Sequence, residues 1–358
     1  MSFAHETILY VDFQALEHNY KYLKNKLNSQ TKIIAVVKAY AYGHGDIDVG
    51  VFLEKLGASY LWVADFEEGV SLREGGVSIP IIVANPGIKS FKVLYEYKLQ
   101  PVIYNEHLLD FFGFSDKMLD VHLKFNTGMN RFGFEANQVN KVADKVKMYS
   151  NLNLISVCSH LSATDNYRLN EFTLNQLKVF KSIKNHFLLN TNIKPLFHVL
   201  NSNGVLNFSS FQEDLVRLGI GLYGINKDKN LRQVGRLEST ISEIRKIQKG
   251  ERIGYQASFI AKKKMIIAVV PVGYADGLNR KLNKGGWLIV QNKKAAIVGD
   301  ISMDSCVIDI TGINAKIGDS VEVFGNINSV IKLSSMLHTI PYEILATLNR
   351  RIKRIYLQ

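Results

Sequence analysis

The fold of this chain is decided around residues 35–45, which read AVVKAYAYGHG. The apolar run from Lys32 to Val37 predicts a strand, and one lysine, Lys38, follows it before an aromatic and glycine-rich turn. Burying an ammonium group is costly unless another group compensates its charge. Desolvation can also lower the pKa of such an amine, which can then form a Schiff base with a carbonyl. On this stretch alone, a lysine that extends past the strand into solvent is an equally good interpretation.

The same strand pattern recurs over the first two-thirds of the chain, mostly with helix-like segments between the strands, such as Ala136–Met148 and Leu169–Phe187. The eight strand candidates are Lys32–Ala39, Ser59–Ala64, Ile79–Ala84, Gln100–Tyr104, Val121–Phe125, Leu154–His160, Leu196–Leu200 and Asp214–Leu218. Alternating strands and helices predict a parallel sheet. Eight repeats over about two hundred residues favour a (β/α)8 TIM-like barrel over an open sheet.

The pattern changes after Gly224, where short β-branched runs replace the long helical patterns. The first of these runs is Leu237–Ile247 and the last is Arg354–Leu357. We therefore expect an α/β chain with a barrel over residues 1–230 and a mostly β C-terminal domain over residues 231–358. Thr7–Phe13 is also strand-like but precedes the barrel series, so it could pair with the C-terminal domain.

The composition is that of an ordinary globular protein. The 358 residues are 47% hydrophobic and 21% charged, and no run approaches the length of a membrane span. The first residues carry no secretion signal, and the two cysteines, Cys158 and Cys306, have no metal-ligand spacing. We expect a cytoplasmic protein that contains no metal and does not bind membranes.

The net charge of +12 raises the question of an anionic partner. Its lysines are scattered, and base-stacking aromatics are not interleaved with them as in an RNA-binding module. Nucleic acid is therefore not the expected partner. A generally basic proteome or a cationic entrance for anionic ligands accounts for the charge better.

Charged and polar residues follow the predicted barrel strands, and these loops share one mouth in a barrel. They are Lys38 and Tyr42 at the first strand, Lys124 and Arg131 at the fifth, Ser159 and His160 at the sixth, His198 and residues 201–204 at the seventh, and Arg217, Gly219 and Ile220 at the eighth. Each has an ordinary structural interpretation when taken alone. Together they place a lysine beside a phosphate cradle, which is what pyridoxal phosphate requires.

These motifs resemble those of the alanine racemases, the fold-type III pyridoxal-phosphate enzymes. The matching stretches are AVVKAYAYGHG (35–45), LKFNTGMNRFG (123–133), SHLSATD (159–165), HVLNSNG (198–204), VRLGIGLYG (216–224), IGYQASF (253–259), PVGYADGLNR (271–280) and GDISMDS (299–305). They keep the family order and extend over nearly the whole chain.

The resemblance implies how the barrel would bind the cofactor. Lys38 would hold it covalently, Arg217 would face its pyridine nitrogen, and Arg131 would lie near its phenolic oxygen. Four residues would bind the phosphate: Tyr42, Ser202, Gly219 and Ile220.

Racemisation needs two bases, because a proton leaves one face of Cα and another arrives at the opposite face. The resemblance assigns Lys38 to D-alanine and Tyr255 to L-alanine. His160 would link Tyr255 to Arg217, and His198 would lie behind that arginine.

The second base also implies a partner. In the family arrangement, Tyr255 and Met303 enter the active site of the partner subunit, so a head-to-tail homodimer is expected. Arg131 and Met303 would contact the substrate, with Asp304 beside Met303. Tyr274 and Arg280 would line the entrance.

Three positions depart from the family pattern, and a fourth matches a lysine that is modified in some members. Asn126 stands where the family usually has Asp, and Gln256 replaces the usual glycine after the catalytic tyrosine. Arg350 occupies a position where some members place a phosphate-contacting tyrosine, so no role is assigned to it. Lys124 matches a lysine that is carbamylated in some members and helps to hold Arg131.

The expected function is interconversion of L- and D-alanine with pyridoxal phosphate, which supplies D-alanine for peptidoglycan. One alternative is a racemase of another amino acid, such as serine, on the same scaffold. A basic amino-acid decarboxylase is disfavoured, because its multi-glycine phosphate loop and catalytic cysteine motif are not found. The non-enzymatic alternative is a cofactor-homeostasis protein built on the barrel alone, which would lack the domain that carries Tyr255.

Overall fold

The computed structural model describes residues 5–190 and 192–358, so residues 1–4 of the expected barrel range lie outside the described part. The chain forms two compact units. The barrel unit comprises Tyr20–Ala41 and Asp46–Leu222. The β unit comprises the described residues up to Asn19, Tyr42–Gly45 and Tyr223–Gln358.

The strands are numbered in chain order. They are β1 (Ile8–Asp12), β2 (Lys32–Val36), β3 (Tyr60–Val63), β4 (Ile81–Val83), β5 (Leu99–Ile103), β6 (Leu119–Lys124), β7 (Leu152–Cys158), β8 (Leu196–His198), β9 (Leu215–Leu218), β10 (Gly235–Thr240), β11 (Glu243–Ile247), β12 (Arg252–Ile253), β13 (Phe259–Ile260), β14 (Met265–Val270), β15 (Trp287–Val290), β16 (Lys293–Ile297), β17 (Cys306–Asp309), β18 (Ser320–Phe324) and β19 (Lys353–Leu357).

The right-handed helices fall mostly between the barrel strands. They are Phe13–Lys24, Asp46–Lys55, Phe66–Glu74, Phe91–Glu96, Glu106–Gly113, Val139–Met148, Asn170–Asn190, Ser202–Asn207, Val330–Met336 and Pro341–Ala346. None of the helices in the described ranges is long and apolar enough to cross a membrane.

The barrel unit is built on eight parallel strands in the order β8-β7-β6-β5-β4-β3-β2-β9. The amide of Arg217 in β9 donates to the carbonyl of Leu200, just after β8, at 3.0 Å, which nearly closes the sheet. Each of the eight predicted strands overlaps one of these strands. The predicted fold class, a (β/α)8 barrel followed by a mostly β region, is confirmed.

The barrel strands are apolar because helices cover one face and the barrel interior covers the other. In β2, Ile33, Ile34 and Ala35 are almost fully buried, and so is Val37 just beyond the strand. Parallel strands end at the same rim, so this packing brings the loops after β2, β6, β7, β8 and β9 to one mouth.

The β unit contains a nine-stranded sheet in the order β11-β14-β17-β16-β15-β18-β10-β1-β19. Strand β1 lies antiparallel to β10 and parallel to β19. The run Leu237–Ile247, expected as one strand, is two. At Ile241 and Ser242 the backbone changes hydrogen-bonding partner, so β10 pairs with β18 whereas β11 pairs with β14.

Candidate active site

Lys38 lies two residues beyond β2, at the start of a left-handed turn. The φ angles of Ala39 and Tyr42 are both 53°, a conformation that non-glycine residues rarely adopt. Glu68 holds this turn, because one of its carboxylate oxygens accepts from the amide of Ala39 at 2.6 Å and the other from the amide of Ala64 at 2.7 Å. Sequence reasoning missed Glu68, which is 30 positions from Lys38 and carries no motif.

The surroundings of Lys38 make its amine more reactive. The Lys38 side chain is exposed, but partial desolvation at the barrel rim still lowers the pKa of its amine. The charge of Arg131 lowers this pKa further. Glu68 opposes both effects. The neutral amine, which attacks a carbonyl, is therefore favoured relative to an ordinary lysine.

Arg217, in β9, is the most enclosed cation of the mouth and is only 4% exposed. Its guanidinium donates to the carbonyl of Ser159 at 2.6 Å and that of Val199 at 3.1 Å. It also donates to Nδ1 of His198 and to Nδ1 of His160, the latter at 3.2 Å. All of these acceptors are uncharged, so they orient the guanidinium without balancing its charge.

The two histidines beside Arg217 are neutral. Burial, and then the charge of Arg217, hold the pKa of His160 and that of His198 well below the usual range. Because arginine can only donate, each histidine presents an unprotonated Nδ1 and carries its proton on Nε2.

Lys124 ends β6 and is half-buried. Desolvation, with contributions from the charges of Arg217, Arg131 and Lys38, lowers the pKa of its amine to about 8. Its Nζ lies 5.7 Å from the ring centre of Phe132. An amine of this pKa is partly neutral near pH 7 and can therefore react there with an electrophile.

Asn126 organises the loop that carries Arg131, which is exposed. Its side-chain amide donates to Asn130 Oδ1 at 2.9 Å and to Glu135 at 3.0 Å. Its oxygen accepts from the backbone amides of Gly128 and Asn130 at 3.1 and 3.0 Å. An aspartate could not donate these two hydrogen bonds. Asparagine at position 126, where the family usually has aspartate, is therefore complementary to the carboxylate of Glu135.

Ser202 connects the loops after β8 and β9. Its Oγ accepts from the amides of Gly219 at 2.8 Å and Gly221 at 3.2 Å, on either side of Ile220. A side chain at Gly221 would lie 2.9 Å from Cβ of Ser202, so this approach requires glycine. Since Oγ accepts twice, the hydroxyl proton remains available to an anionic ligand.

Tyr42, expected as a phosphate ligand, belongs to the β unit. It is buried, with its ring centre 4.7 Å from that of Tyr223 and 6.1 Å from that of Tyr342. Burial first, then Tyr342, raises the pKa of Tyr42 well above its usual value. Its hydroxyl therefore stays protonated and can act as a donor.

The five remaining predicted residues, Tyr255, Tyr274, Arg280, Met303 and Asp304, lie in the β unit, and all of them are exposed. Tyr255 is 71% exposed, Met303 53% and Tyr274 43%. Two turns carry Tyr274 and Met303, and the amide of Tyr274 joins them by donating to the carbonyl of Ser302 at 3.1 Å. A side chain at Gly273 would lie 2.2 Å from the carbonyl oxygen of Met303, so close packing there requires glycine.

Asp300 joins the turns of Tyr255 and Arg280. Its amide donates to Ser258 Oγ at 3.0 Å, at the end of the turn that begins at Tyr255. Its carboxylate lies 3.7 Å from Arg280 and accepts from Asn283 at 2.5 Å. The turns of Tyr255 and Arg280 are therefore linked through one residue, Asp300, by its backbone amide on one side and its carboxylate on the other.

Arg351 was missed as a contributor to this surface. It donates to Asp276 at 2.7 Å and to Asp304 at 2.8 Å, and Asp276 in turn accepts from the amide of Gly273 at 2.8 Å. The arginine thus holds the turns on both sides of Met303. The only sequence signal for Arg351 was the basic stretch of residues 350–354, which reads RRIKR.

The predicted residues divide between the two units. The barrel unit holds Lys38, Lys124, Arg131, His160, His198, Ser202, Arg217, Gly219 and Ile220, and the β unit holds Tyr42, Tyr255, Tyr274, Arg280, Met303 and Asp304. In the described ranges, no group of three or more His, Cys, Asp or Glu side chains could hold a metal ion.

The donor set of the barrel mouth fits pyridoxal phosphate. It offers an amine of lowered pKa for the aldehyde and cations that influence one another's pKa. It also offers a serine hydroxyl that two backbone amides hold in place and whose proton remains available to the phosphate. These features define an enzyme of the class that binds an anionic carbonyl cofactor at a barrel lysine.

Comparison with known proteins gives the family. The family model described as "Alanine racemase, N-terminal domain" matches residues 11–227, and "Alanine racemase, C-terminal domain" matches residues 234–356. An alanine racemase of Thermodesulfovibrio yellowstonii is 36% identical, over 97% of this chain and 96% of that protein. The chain belongs to the alanine racemase family, so the resemblance read from its motifs is confirmed.

Solved structures agree. The alanine racemase of Clostridium difficile 630 has a TM-score of 0.93 and 28% identity, covering 99% of this chain and 96% of that one. The alanine racemase of Bartonella henselae, with covalently bound pyridoxal phosphate, has a TM-score of 0.88 and 29% identity, covering 99% and 100%.

Proposed function

We propose that this chain interconverts L-alanine and D-alanine with pyridoxal phosphate, in the cytoplasm, and supplies D-alanine for peptidoglycan. The observation that carries the proposal is the amine of Lys38, whose pKa is lowered at a cationic barrel mouth in a chain of the alanine racemase family. When bound, the cofactor withdraws electrons from the substrate Cα and so makes its proton removable.

The barrel residues bind and orient the cofactor. Lys38 would hold it covalently, and Arg131 would lie near its phenolic oxygen. Arg217 would face the pyridine nitrogen and, as a fixed cation, would keep that nitrogen unprotonated. The residues Tyr42, Ser202, Gly219 and Ile220 would bind the phosphate. The amide of Gly219 donates to Oγ of Ser202, which leaves the hydroxyl proton of Ser202 free to donate.

Two bases on opposite faces would move the protons. Lys38 would act as a base once the substrate amine has replaced it on the cofactor. It would remove the Cα proton of D-alanine while Tyr255 donates one to the opposite face, and Tyr255 would remove that of L-alanine while Lys38 donates. His160 connects Tyr255 to Arg217, and its proton on Nε2 is available for this because Nδ1 accepts from Arg217. His198 supports Arg217 from behind.

The second base comes from another copy of the chain in a head-to-tail homodimer. Support for this proposal comes from the exposure of Tyr255, Tyr274 and Met303 in the single chain, since large side chains at a catalytic site are normally enclosed. Met303 and Arg131 contact the substrate, Asp304 supports Met303, and Tyr274 and Arg280 line the entrance. The domain boundary proposed for this arrangement lies near residue 230.

The deciding experiment measures chiral product and absorbance together. Purified protein with pyridoxal phosphate should convert L-alanine to D-alanine and show the absorbance of lysine-bound cofactor. Lys38→Ala should lose both, whereas Lys32→Ala, which changes an exposed lysine at the start of the same strand, should retain both. A panel of L-amino acids tests substrate range; faster production of a D-product other than D-alanine would make this a different racemase.

A further inference from the structure

A hydrogen-bonded chain of side chains leads from Arg217 into the barrel interior. His198 accepts from Arg217 at Nδ1, and its Nε2 lies 3.0 Å from Oγ of Ser156 in β7. That Oγ is 2.7 Å from Nδ1 of His122 in β6. His198, Ser156 and His122 are all 0% exposed, so no solvent competes for these bonds.

The chain continues to the amino ends of the strands. Nε2 of His122 lies 3.0 Å from Oε1 of Gln100 in β5, and Nε2 of Gln100 donates to Asp120 at 2.9 Å. The other oxygen of Asp120 accepts from Asn153 at 2.7 Å. Gln100, Asp120 and Asn153 line an open cavity of about 640 Å³ at this end of the barrel. The chain therefore connects a carboxylate at the solvent side to the buried guanidinium.

Only one placement of hydrogens satisfies every link. Arginine can only donate, so His198 accepts at Nδ1 and donates from Nε2 to Ser156. The Ser156 hydroxyl then donates to Nδ1 of His122, whose Nε2 donates to Gln100. The amide of Gln100 donates to the carboxylate of Asp120, which can only accept. Every donor points away from Arg217.

This direction requires both histidines to be neutral. Burial lowers the pKa of His122 to about 3 and holds that of His198 well below its usual range. The chain is not a proton conduit into the mouth, since its first donor is a guanidinium that does not release its proton. Its effect is to orient and polarise, and successive hydrogen bonds strengthen one another in a low-dielectric interior.

We infer that Gln100, His122 and Ser156 are positioning residues for Arg217. They fix His198 as the tautomer with its proton on Nε2, which keeps Nδ1 open to the guanidinium, and they connect Arg217 to Asp120. The immediate acceptors of Arg217 are neutral, so Asp120 supplies the carboxylate that they lack. The inference rests on the proposed function in one respect, that Arg217 faces the pyridine nitrogen.

The first test reads the tautomers directly. In wild-type holoenzyme with ¹⁵N-labelled histidine, NMR at pH 7 should show His122 and His198 as neutral rings protonated at Nε2, with the signals assigned by His122→Gln and His198→Gln. A proton on Nδ1 of either ring, or a doubly protonated ring, would overturn the inference. This test needs no variant other than those used for assignment.

The second test cuts the chain in its middle. Ser156→Ala should shift the Nε2–H signal of His198 and raise the dissociation constant for pyridoxal phosphate about tenfold, the equivalent of one buried hydrogen bond in a charged network. The matched control is Ser90→Ala, because Ser90 is also buried but donates only to the local carbonyl of Gly87. If Ser156→Ala and Ser90→Ala both leave the His198 signal and cofactor affinity at wild-type values, the inference is wrong.

The two proposals fail separately. If wild type does not racemise alanine but both histidines carry the expected tautomer, the proposed function fails and the hydrogen-bonded chain stands. If wild type racemises alanine but either histidine is protonated on Nδ1, the inference fails and the proposed function stands.

Discussion

The barrel mouth and the exposed surface of the β unit hold their functional side chains in opposite ways. Arg217 is almost completely buried and is fixed by neutral acceptors on four residues. Tyr255 and Met303 project into solvent, and the bonds that place them are made by the backbone of their turns and by neighbouring side chains. The barrel mouth perturbs the pKa values of its own groups, whereas the β surface holds exposed side chains at fixed positions.

This difference separates two kinds of preorganisation. In the barrel, burial changes the chemistry of a group, as the lowered pKa values of Lys38 and Lys124 show. In the β unit, close packing at Gly273 and the ion pairs of Arg351 fix where a group lies, while the end of its side chain stays exposed. Mutations in the two regions should therefore have different signatures.

The largest effect should come from Tyr255→Phe. Removing one of two bases should lower racemisation by about 10²–10⁴-fold, the range for general acid–base catalysis, while cofactor absorbance stays at the wild-type level. In D₂O, exchange of the Cα proton of D-alanine should persist through Lys38, and exchange from L-alanine should fall. Tyr10→Phe, in β1, is the control; equal loss of exchange from both enantiomers would contradict separate roles for the two bases.

The second-largest effect should be on the reactivity of Lys124, because burial in the folded barrel lowers the pKa of its amine. At a pKa of about 8, roughly one amine in ten is neutral at pH 7, about three hundred times more than for an ordinary lysine. Acetic anhydride reacts with the neutral amine and does not itself titrate, so the rate of acetylation of Lys124, measured by mass spectrometry and corrected for reagent hydrolysis, should rise with pH to a half-maximum near pH 8. The same lysine in guanidinium-unfolded chain is the control. A midpoint near 10 in the folded protein would contradict the assignment.

Glu68→Gln should have a moderate effect on stability. The variant leaves one of the two amides, Ala39 or Ala64, facing an NH₂ group, which should cost about 1–3 kcal/mol of unfolding free energy. Removing the charge should also lower the pKa of Lys38 further, because Glu68 raises it. Chemical denaturation measures the first effect. Glu67→Gln, an exposed change on the same helix, should be neutral, and equal losses for the two variants would argue against a role for Glu68 in the turn.

The smallest effect should be a gain in stability from a substitution in the β unit. Gln256 has a φ of 55°, so Gln256→Gly relieves left-handed strain but adds freedom to the unfolded chain. The net change should be a stabilisation of no more than about 1 kcal/mol, measured by thermal unfolding. Gln248→Gly, at a position without positive φ, should destabilise by a similar amount. Destabilisation by Gln256→Gly would show that its side chain contributes more than its backbone costs.

The sequence predicted the barrel well because its strands are buried on both faces and read as continuous apolar runs. The strands Met265–Val270, Trp287–Val290 and Ser320–Phe324 also lie within the region predicted to be mostly β. The site motifs were found because several residues of one role sit together in the chain, as in residues 198–204. The division of the run Leu237–Ile247 into two strands at Ile241 could not be predicted, because a change of partner strand does not alter the local hydrophobic pattern.

The residues that sequence reasoning missed act across long separations. Glu68 reaches Ala39, Arg351 reaches Asp276, and Gln100 reaches His122 only because the fold brings their elements together. The left-handed turn was missed for another reason: Ala39, Tyr40 and Ala41 lack the glycine that normally marks positive φ.

The pairing of β1 bears on how the chain acquires its structure during synthesis. Every strand of the barrel unit precedes residue 222, whereas β1 pairs Ile8 with Lys353 of β19. On the ribosome, the barrel sequence emerges and can fold while β1 still lacks a parallel neighbour, so this early strand carries an open edge for most of translation. Completion of the β unit is then timed by the last strand to emerge, and a ribosome stalled before β19 would hold a chain able to build a barrel beside an unfinished sheet.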